Sequence, residues 1–211
     1  MEALTMLKYY QLTRIEEFQE GLYHKIGVTE PSQLTIEDIS VRLNVWIYYG
    51  SFGSEALEVK PGMYSMNIDS RLEPTQQWLD FLHELCHLLR HAGDQSTMPE
   101  QFTQAQEDEA DAFALYASMP FAMICRLPIP ERRCEAAAYI ANEFHVPFEM
   151  AEKRLEQIRR RVFAGSFFCS HRGTGKSSKD GPKTNSSRRK LLCVLKLFTI
   201  FTPIVCDRCS C

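Results

Sequence analysis

The stretch that decides the fold is His83-Glu84-Leu85-Cys86-His87. On a helix its two histidines lie one turn apart on the same face, so both imidazoles can bind one metal ion. Glu84 is turned about 100° around the helix axis from His83, toward the open side of such a metal. This arrangement is typical of zinc peptidases, where two histidines bind the metal and the carboxylate is a general base. The sequence therefore predicts His83 and His87 as zinc ligands and Glu84 as a catalytic base.

The residues around this stretch predict a buried amphipathic helix over residues 75–91. Thr75 is expected to be its N-cap, with Pro74 before it, and Gly93 marks its end. Its broad apolar face contains Trp78, Leu79, Phe81, Leu82, Leu85, Leu88 and Leu89. Burying two histidines and a glutamate in such a helix is costly unless they have a partner. This cost favours a metal site over histidines that merely lie on the helix.

A catalytic zinc usually has three protein ligands, so one more ligand must come from elsewhere in the chain. His91 follows His83 by eight residues. Their Cα atoms are about 12 Å apart on a straight helix, too far for shared coordination. His91 is instead expected to interact with the helix dipole at the C-terminus. A metzincin site is excluded, because Gly93 occupies the position where that pattern has its third histidine.

The third ligand is predicted on a second helix, in the acidic run at residues 106–116 that ends before Pro120. Glu107 and Asp111 share one face of this helix. We expect Glu107 to bind the metal and Asp111 to accept a hydrogen bond from a ligand histidine. Glu109 points about 200° away from Glu107 and is expected to contribute little. The alternative is that these acidic residues only interact with the helix dipole, which leaves the upstream motif without a third ligand.

Together the two segments resemble the ImmA/IrrE family of bacterial and phage zinc metallopeptidases. The first reads HELCHLLRH, where the family typically has HELGHLLLH. The second reads EDEADAFA, and a Met-Pro pair follows it, as in the family pattern E-x-E-A-N-x-F-A-x-x-L-M-P. Cys86 replaces the usual glycine and Asp111 stands where asparagine is common, but neither change removes a ligand. The resemblance covers residues 9–163.

The resemblance implies a zinc-dependent endopeptidase that cleaves a regulatory protein at one site. The implied substrate is a helix-turn-helix repressor of a phage, an integrative element or a stress regulon. One alternative is a non-proteolytic regulator of the same fold that binds DNA or a repressor through its C-terminal helices. Another is a purely structural zinc. The intact Glu84 argues against both alternatives, because a structural site does not need a base there.

The fold class predicted for the chain is α+β, a small zincin-like domain with a short twisted sheet. Helices are expected at residues 11–26 and, after the capping sequence that starts at Thr35, through residue 43. Strands are expected at residues 45–49 and 63–68. The second strand is expected at the sheet edge beside the motif helix. There it either binds an extended peptide by strand addition or forms an ordinary hairpin.

Two further helices are predicted at residues 131–144 and 148–162, separated by His145-Val146-Pro147. Their pattern is similar to a helix-turn-helix, but a helical pair that packs on the catalytic core is favoured. Three consecutive arginines, residues 159–161, suit the C-terminal end of the last helix because they complement its dipole.

Charge divides the chain into two parts. Residues 1–165 contain 15 Lys+Arg and 25 Asp+Glu, and residues 166–211 contain 9 and 2. The first part is predicted to be the metallopeptidase domain, with residues 126–163 as its C-terminal helical subdomain. Its acidic balance disfavours direct binding to nucleic acid.

The second part, residues 166–211, holds 5 of the 8 cysteines and is expected to be a poorly ordered tail or the product of an altered gene end. Its apolar run is short for a membrane span, so no membrane partner is expected.

A cytoplasmic location is expected for this chain. Residues 1–10 have neither the apolar core nor the cleavage site of a signal peptide. The cysteines of the acidic part, Cys86, Cys125 and Cys134, are odd in number and lack the spacing of a disulfide framework, which favours reduced thiols.

Overall fold

The structure, a computed structural model, describes residues 9–91 and 98–170, without the side chains of residues 167–170. The predictions about Gly93 and about the tail beyond residue 170 lie outside the described residues. The elements are, in chain order, α1 (Arg14–Ile26), a 3-10 turn (Pro31–Gln33), α2 (Ile36–Leu43), β1 (Val45–Gly50), β2 (Glu55–Lys60), β3 (Met63–Asp69), α3 (Pro74–Arg90), α4 (Glu100–Ser118), α5 (Phe121–Ile124), α6 (Arg133–Phe144) and α7 (Phe148–Ser170). The predicted α+β class is confirmed.

Local sequence signals begin and end the first two helices. Thr13 and Glu16 form a capping box at the start of α1, and Gly27 ends the helix with φ 73°. Thr35 caps α2 as predicted, and Asn44 ends it in the left-handed conformation. These caps satisfy backbone groups that a helix leaves unpaired at its ends.

The motif helix α3 begins slightly earlier than the sequence predicted. Pro74 is its first residue and Glu73 occupies the N-cap position, so the expectation that Thr75 is the N-cap is wrong. Proline suits the first position because its fixed φ is helical and its missing N–H would have no partner there. The helix ends at Arg90, and His91 follows in an extended conformation.

The three strands form a mixed sheet in the order β1-β3-β2. β3 pairs parallel to β1, with Val45 opposite Tyr64, and antiparallel to β2, with Glu55 opposite Asn67. The prediction that residues 63–68 form the sheet edge is therefore wrong, because β3 is the central strand. Both sides of β3 are paired, so it has no free edge to which a peptide strand could be added. The edge nearest the motif helix is β2.

Helices α3 and α4 pack on each other, and α3 also packs on β2 and β3. One core joins all these elements with the C-terminal helices. Its wholly or almost wholly buried side chains include Met66, Ile68, Phe81, Leu82, Leu85, Phe113, Ala117, Ile140, Phe144 and Leu155. The last two helices therefore bury part of their surface in the same core as the motif helix. Within the described ranges, no helix is both long and apolar enough to cross a membrane.

A buried ion pair, which the sequence did not predict, connects α7 with α1. The guanidinium of Arg154 is fully buried and donates a hydrogen bond to Glu16 Oε1 at 2.9 Å. Glu16 also pairs with Arg161 and accepts a hydrogen bond from the Tyr10 hydroxyl. Burial raises the pKa of Glu16, but the charge of Arg154 and the hydrogen bonds to the carboxylate outweigh burial and lower that pKa overall.

Candidate metal centre

The packing of α3 on α4 brings His83, His87 and Glu107 together. The Nε2 atoms of the two histidines are 3.0 Å apart. His83 Nε2 lies 3.2 Å from Glu107 Oε2, and His87 Nε2 lies 3.5 Å from Glu107 Oε1. One ligand atom from each residue can be chosen so that all three lie within 4.8 Å of one another. Because His83 and His87 are four residues apart on α3, both imidazoles face the same residue of α4, Glu107.

The chemistry of this donor set fits a divalent metal ion of the zinc type. Two imidazole nitrogens and one carboxylate oxygen are a common ligand set of zinc in peptidases. Burial lowers the pKa of His87, although the charge of Glu107 opposes this shift. A lowered pKa keeps the imidazole neutral, which is the form that binds a metal. The three side chains are partly exposed, so a metal and a substrate can reach them.

Asp111 lies on the far side of the His83 ring from Glu107. Its Oδ1 is 3.1 Å from His83 Nδ1, and its side chain is 76% exposed. A proton on His83 Nδ1 leaves the lone pair of Nε2 directed at the candidate metal position. The geometry is that of the hydrogen bond expected from the sequence, and the role of Asp111 stays a prediction.

Glu84 lies beside the three candidate ligands but is held by the sheet. Its Oε2 accepts a hydrogen bond from the backbone N–H of Ala56 on β2 at 3.1 Å. Burial raises the pKa of Glu84 to about 7, against the opposing influence of His83 and of the Ala56 N–H. A carboxyl group with a pKa in this range can both accept and donate a proton near neutral pH. The sequence predicts the position of Glu84 on α3, but not this backbone partner.

The strand that holds Glu84 was missed because it is short and polar. β2 contains Glu55, Glu58 and Lys60 among its six residues. The signal that could have indicated it is Pro61-Gly62, a turn pair directly before the predicted strand at residues 63–68. Two strands joined by such a turn form a hairpin, and here β2 is its first strand.

His91 contacts His87, one of the three candidate ligands. Its Nδ1 lies 2.8 Å from His87 Nδ1, and its Nε2 lies 3.4 Å from Glu109 Oε2. His91 is not part of the ligand group, and Glu109 faces the end of α3 rather than the position shared by the three ligands. The contact between His91 and His87 was not predicted, although residues 87 and 91 have the same spacing of four as the two motif histidines.

Cys86 lies on α3 between the two motif histidines, but it is not among the three candidate ligands. Its side chain is buried in the core. Burial raises the pKa of its thiol to about 12, so it stays protonated. The residue that departs from the family's glycine therefore fills core volume and is not a ligand.

Comparison with known proteins places the chain in a family of peptidases. The profile of the IrrE N-terminal-like domain (Peptidase_M78) matches residues 41–156, which include both helices of the candidate metal centre. The chain belongs to this Peptidase_M78 family. The predicted resemblance is thereby confirmed, and membership supports a metallopeptidase-type function.

Two proteins of Bacillus subtilis (strain 168) are similar to this family member over most of their length. The phage-like element PBSX protein XkdA is 35% identical over 150 residues, which cover 71% of this chain and 75% of XkdA. The uncharacterized protein YqaB is 34% identical over 153 residues, which cover 72% of this chain and 88% of YqaB.

Proposed function

We propose that this protein is a zinc-dependent endopeptidase that cleaves a regulatory protein at a specific site. The observation that carries the proposal is the convergence of His83, His87 and Glu107 beside the partly buried carboxyl group of Glu84. A structural metal site needs the three ligands but has no use for a fourth ionisable group with a raised pKa. Membership of a peptidase family supports the same chemistry.

In the proposed mechanism the two histidines and Glu107 hold the metal. A zinc ion bound there supplies Lewis acidity toward the peptide carbonyl and toward water. Glu84 accepts a proton from the water molecule as its oxygen attacks the carbonyl carbon. Glu84 then donates this proton to the leaving nitrogen as the C–N bond breaks. The N–H of Ala56 orients the Glu84 carboxylate throughout.

The proposed substrate is a helix-turn-helix repressor of a phage or an integrative element. The name of XkdA, a protein of a phage-like element, supports a link with mobile elements. The acidic balance of residues 1–165 favours a partner with a basic surface, and such association weakens when salt is added. Recognition of one folded partner would also explain how a peptidase with an accessible site spares other proteins.

Metal content and cleavage test the proposal together. The purified protein is expected to contain about one zinc ion per chain and to cleave a repressor encoded beside its gene, while casein stays intact. Glu84→Gln is expected to keep the zinc and lose cleavage, because the base can be removed without removing a ligand. His24→Gln, an exposed histidine on α1, is the matched control and should change neither property.

Three results would contradict parts of this proposal separately. A protein that binds no zinc would exclude the metal centre. A Glu84→Gln variant that cleaves as fast as the parent would exclude Glu84 as the base. Rapid degradation of casein would exclude a single regulatory substrate and leave the zinc site intact.

A further inference from the structure

A line of contacts runs from His87 away from the metal centre, and we propose that His91 and Glu109 position His87 as a metal ligand. The proposal rests on the proposed function, since it assumes that His87 binds the metal through Nε2. This nitrogen faces His83 and Glu107, whereas Nδ1 faces His91. His91 is thus a positioning residue that does not touch the metal.

A neutral imidazole carries one proton, and the position of this proton determines which nitrogen donates and which accepts. A neutral His87 that binds through Nε2 carries its one proton on Nδ1. The Nδ1–H can donate to His91 Nδ1, 2.8 Å away, only when that nitrogen is unprotonated. Neutral His91 then carries its proton on Nε2, which lies 3.4 Å from Glu109 Oε2. The two imidazoles therefore form a consistent donor–acceptor pair, and Nε2 of His91 lies near the charge of Glu109 without a hydrogen bond to it.

Glu109 is itself held in place by α3. Its Oε1 accepts a hydrogen bond from Arg90 Nε at 2.6 Å, so Oε2 is left to face His91. The guanidinium of Arg90 lies 4.7 Å from the centre of the Phe18 ring on α1. At 3.4 Å the contact between Glu109 and His91 is longer than an ordinary hydrogen bond, so Glu109 acts mainly through its charge.

Because His91 is largely buried, its contact with His87 matters for metal binding. The side chain of His91 is only 9% exposed, so water has little access to replace it as the partner of His87. Loss of His91 therefore removes this acceptor from His87 Nδ1 and loosens the orientation of the His87 ring, and both effects weaken binding through Nε2.

Zinc competition with a chromophoric chelator tests the proposal. His91→Phe is expected to weaken zinc binding about 10- to 100-fold, since an oriented ligand loses its partner. His91→Gln should recover most of this loss, because its amide oxygen can accept from His87 and its NH₂ group can donate toward Glu109. Glu109→Gln should cause a smaller loss. His24→Phe, at an exposed position, is the matched control, and melting of the EDTA-treated variants checks that each one folds.

Nitrogen-15 NMR of the histidines in the zinc-loaded parent gives a readout that does not depend on a variant. The expected tautomers carry the proton on Nδ1 in His87 and on Nε2 in His91. Protonation of His91 on Nδ1, or parent-like zinc affinity of a folded His91→Phe variant, would overturn the positioning role while leaving zinc binding itself in place. A parent that binds no zinc would instead overturn the proposed function and this inference with it.

Discussion

Glu107 and Asp111 lie one turn apart on α4, and each contacts a different nitrogen of His83. Glu107 faces Nε2 at 3.2 Å, and Asp111 faces Nδ1 at 3.1 Å. Glu107→Ala is therefore expected to lose most zinc affinity, because it removes a ligand. Asp111→Ala should weaken zinc binding about 10- to 100-fold, because it removes only the group that orients one. Chelator competition on both variants measures the difference.

Asp108 offers a matched control for these two variants. It is exposed on the same helix and accepts a hydrogen bond from Gln104. Asp108→Ala should bind zinc as the parent does. A larger loss of affinity in Asp111→Ala than in Glu107→Ala would reverse the two assignments.

The carboxyl group of Glu84 should titrate near neutral pH in EDTA-treated protein. Burial disfavours its charged form and raises its pKa to about 7. Added zinc should lower this pKa, because a nearby cation stabilises the carboxylate. Carbon-13 NMR of labelled glutamate side chains measures both values, and Glu84→Gln identifies the signal. A pKa near that of an exposed glutamate would show that Glu84 is not buried as described.

At the scale of residues, the sequence predicts well what lies on one helix. The spacing of four places His83 and His87 on the same face, and the same rule relates Glu107 to Asp111. It does not reveal the Ala56 N–H that holds Glu84. That contact joins residues 28 apart through a backbone group, so no side-chain pattern marks it.

At the scale of elements, the apolar strands were predictable and their order was not. Residues 45–49 and 63–68 have the apolar and aromatic content of strands, and β1 and β3 form there. β2 escaped notice because its charged residues are typical of an edge strand, where charge discourages pairing with other chains. The sheet order depends on how the chain crosses from β1 to β3, which residue pattern alone does not determine.

In the C-terminal helices, too, the local structure was predictable from the sequence and the tertiary contacts were not. His145-Val146-Pro147 predicts the break between α6 and α7, and His145 there adopts a left-handed φ of 53°. The arginine cluster gave no sign of its internal contacts. Arg161 pairs with Glu16 and donates to the Tyr116 hydroxyl at 2.8 Å, so this arginine is engaged within the fold. These contacts favour a helical pair that packs on the core over a helix that presents all three arginines to DNA.

At the scale of the whole molecule, the ion pair between Arg154 and Glu16 joins the first and last described helices. Arg154 also donates to the backbone carbonyl of Met119, just after α4, at 3.2 Å. Three distant parts of the chain thus share one buried guanidinium. Removing one partner of a buried pair is strongly destabilising. Because Glu16 keeps Arg161 as a partner, Arg154→Met is expected to lower the free energy of unfolding at pH 7 by about 3 kcal/mol, the lower end for such changes.

The same pair should make stability depend on acidity. The pKa of Glu16 is lower in the folded protein than its ordinary value of 4.5. The unfolded chain therefore binds a proton first, and stability falls as pH decreases. The contribution of Glu16 is fully present above pH 4.5 or so and is lost as the pH falls through its folded pKa. Glu16→Gln should remove this contribution, so that its unfolding free energy decreases less steeply in acid than that of the parent.

Urea unfolding of the parent and of Glu16→Gln between neutral and acidic pH measures this difference. Glu17→Gln, exposed on the neighbouring position of α1, is the control and should follow the parent curve. The control is needed because every carboxylate contributes to acid unfolding, and only the difference between neighbouring positions isolates the buried pair. Parallel curves for Glu16→Gln and the parent would mean that folding does not lower the pKa of Glu16.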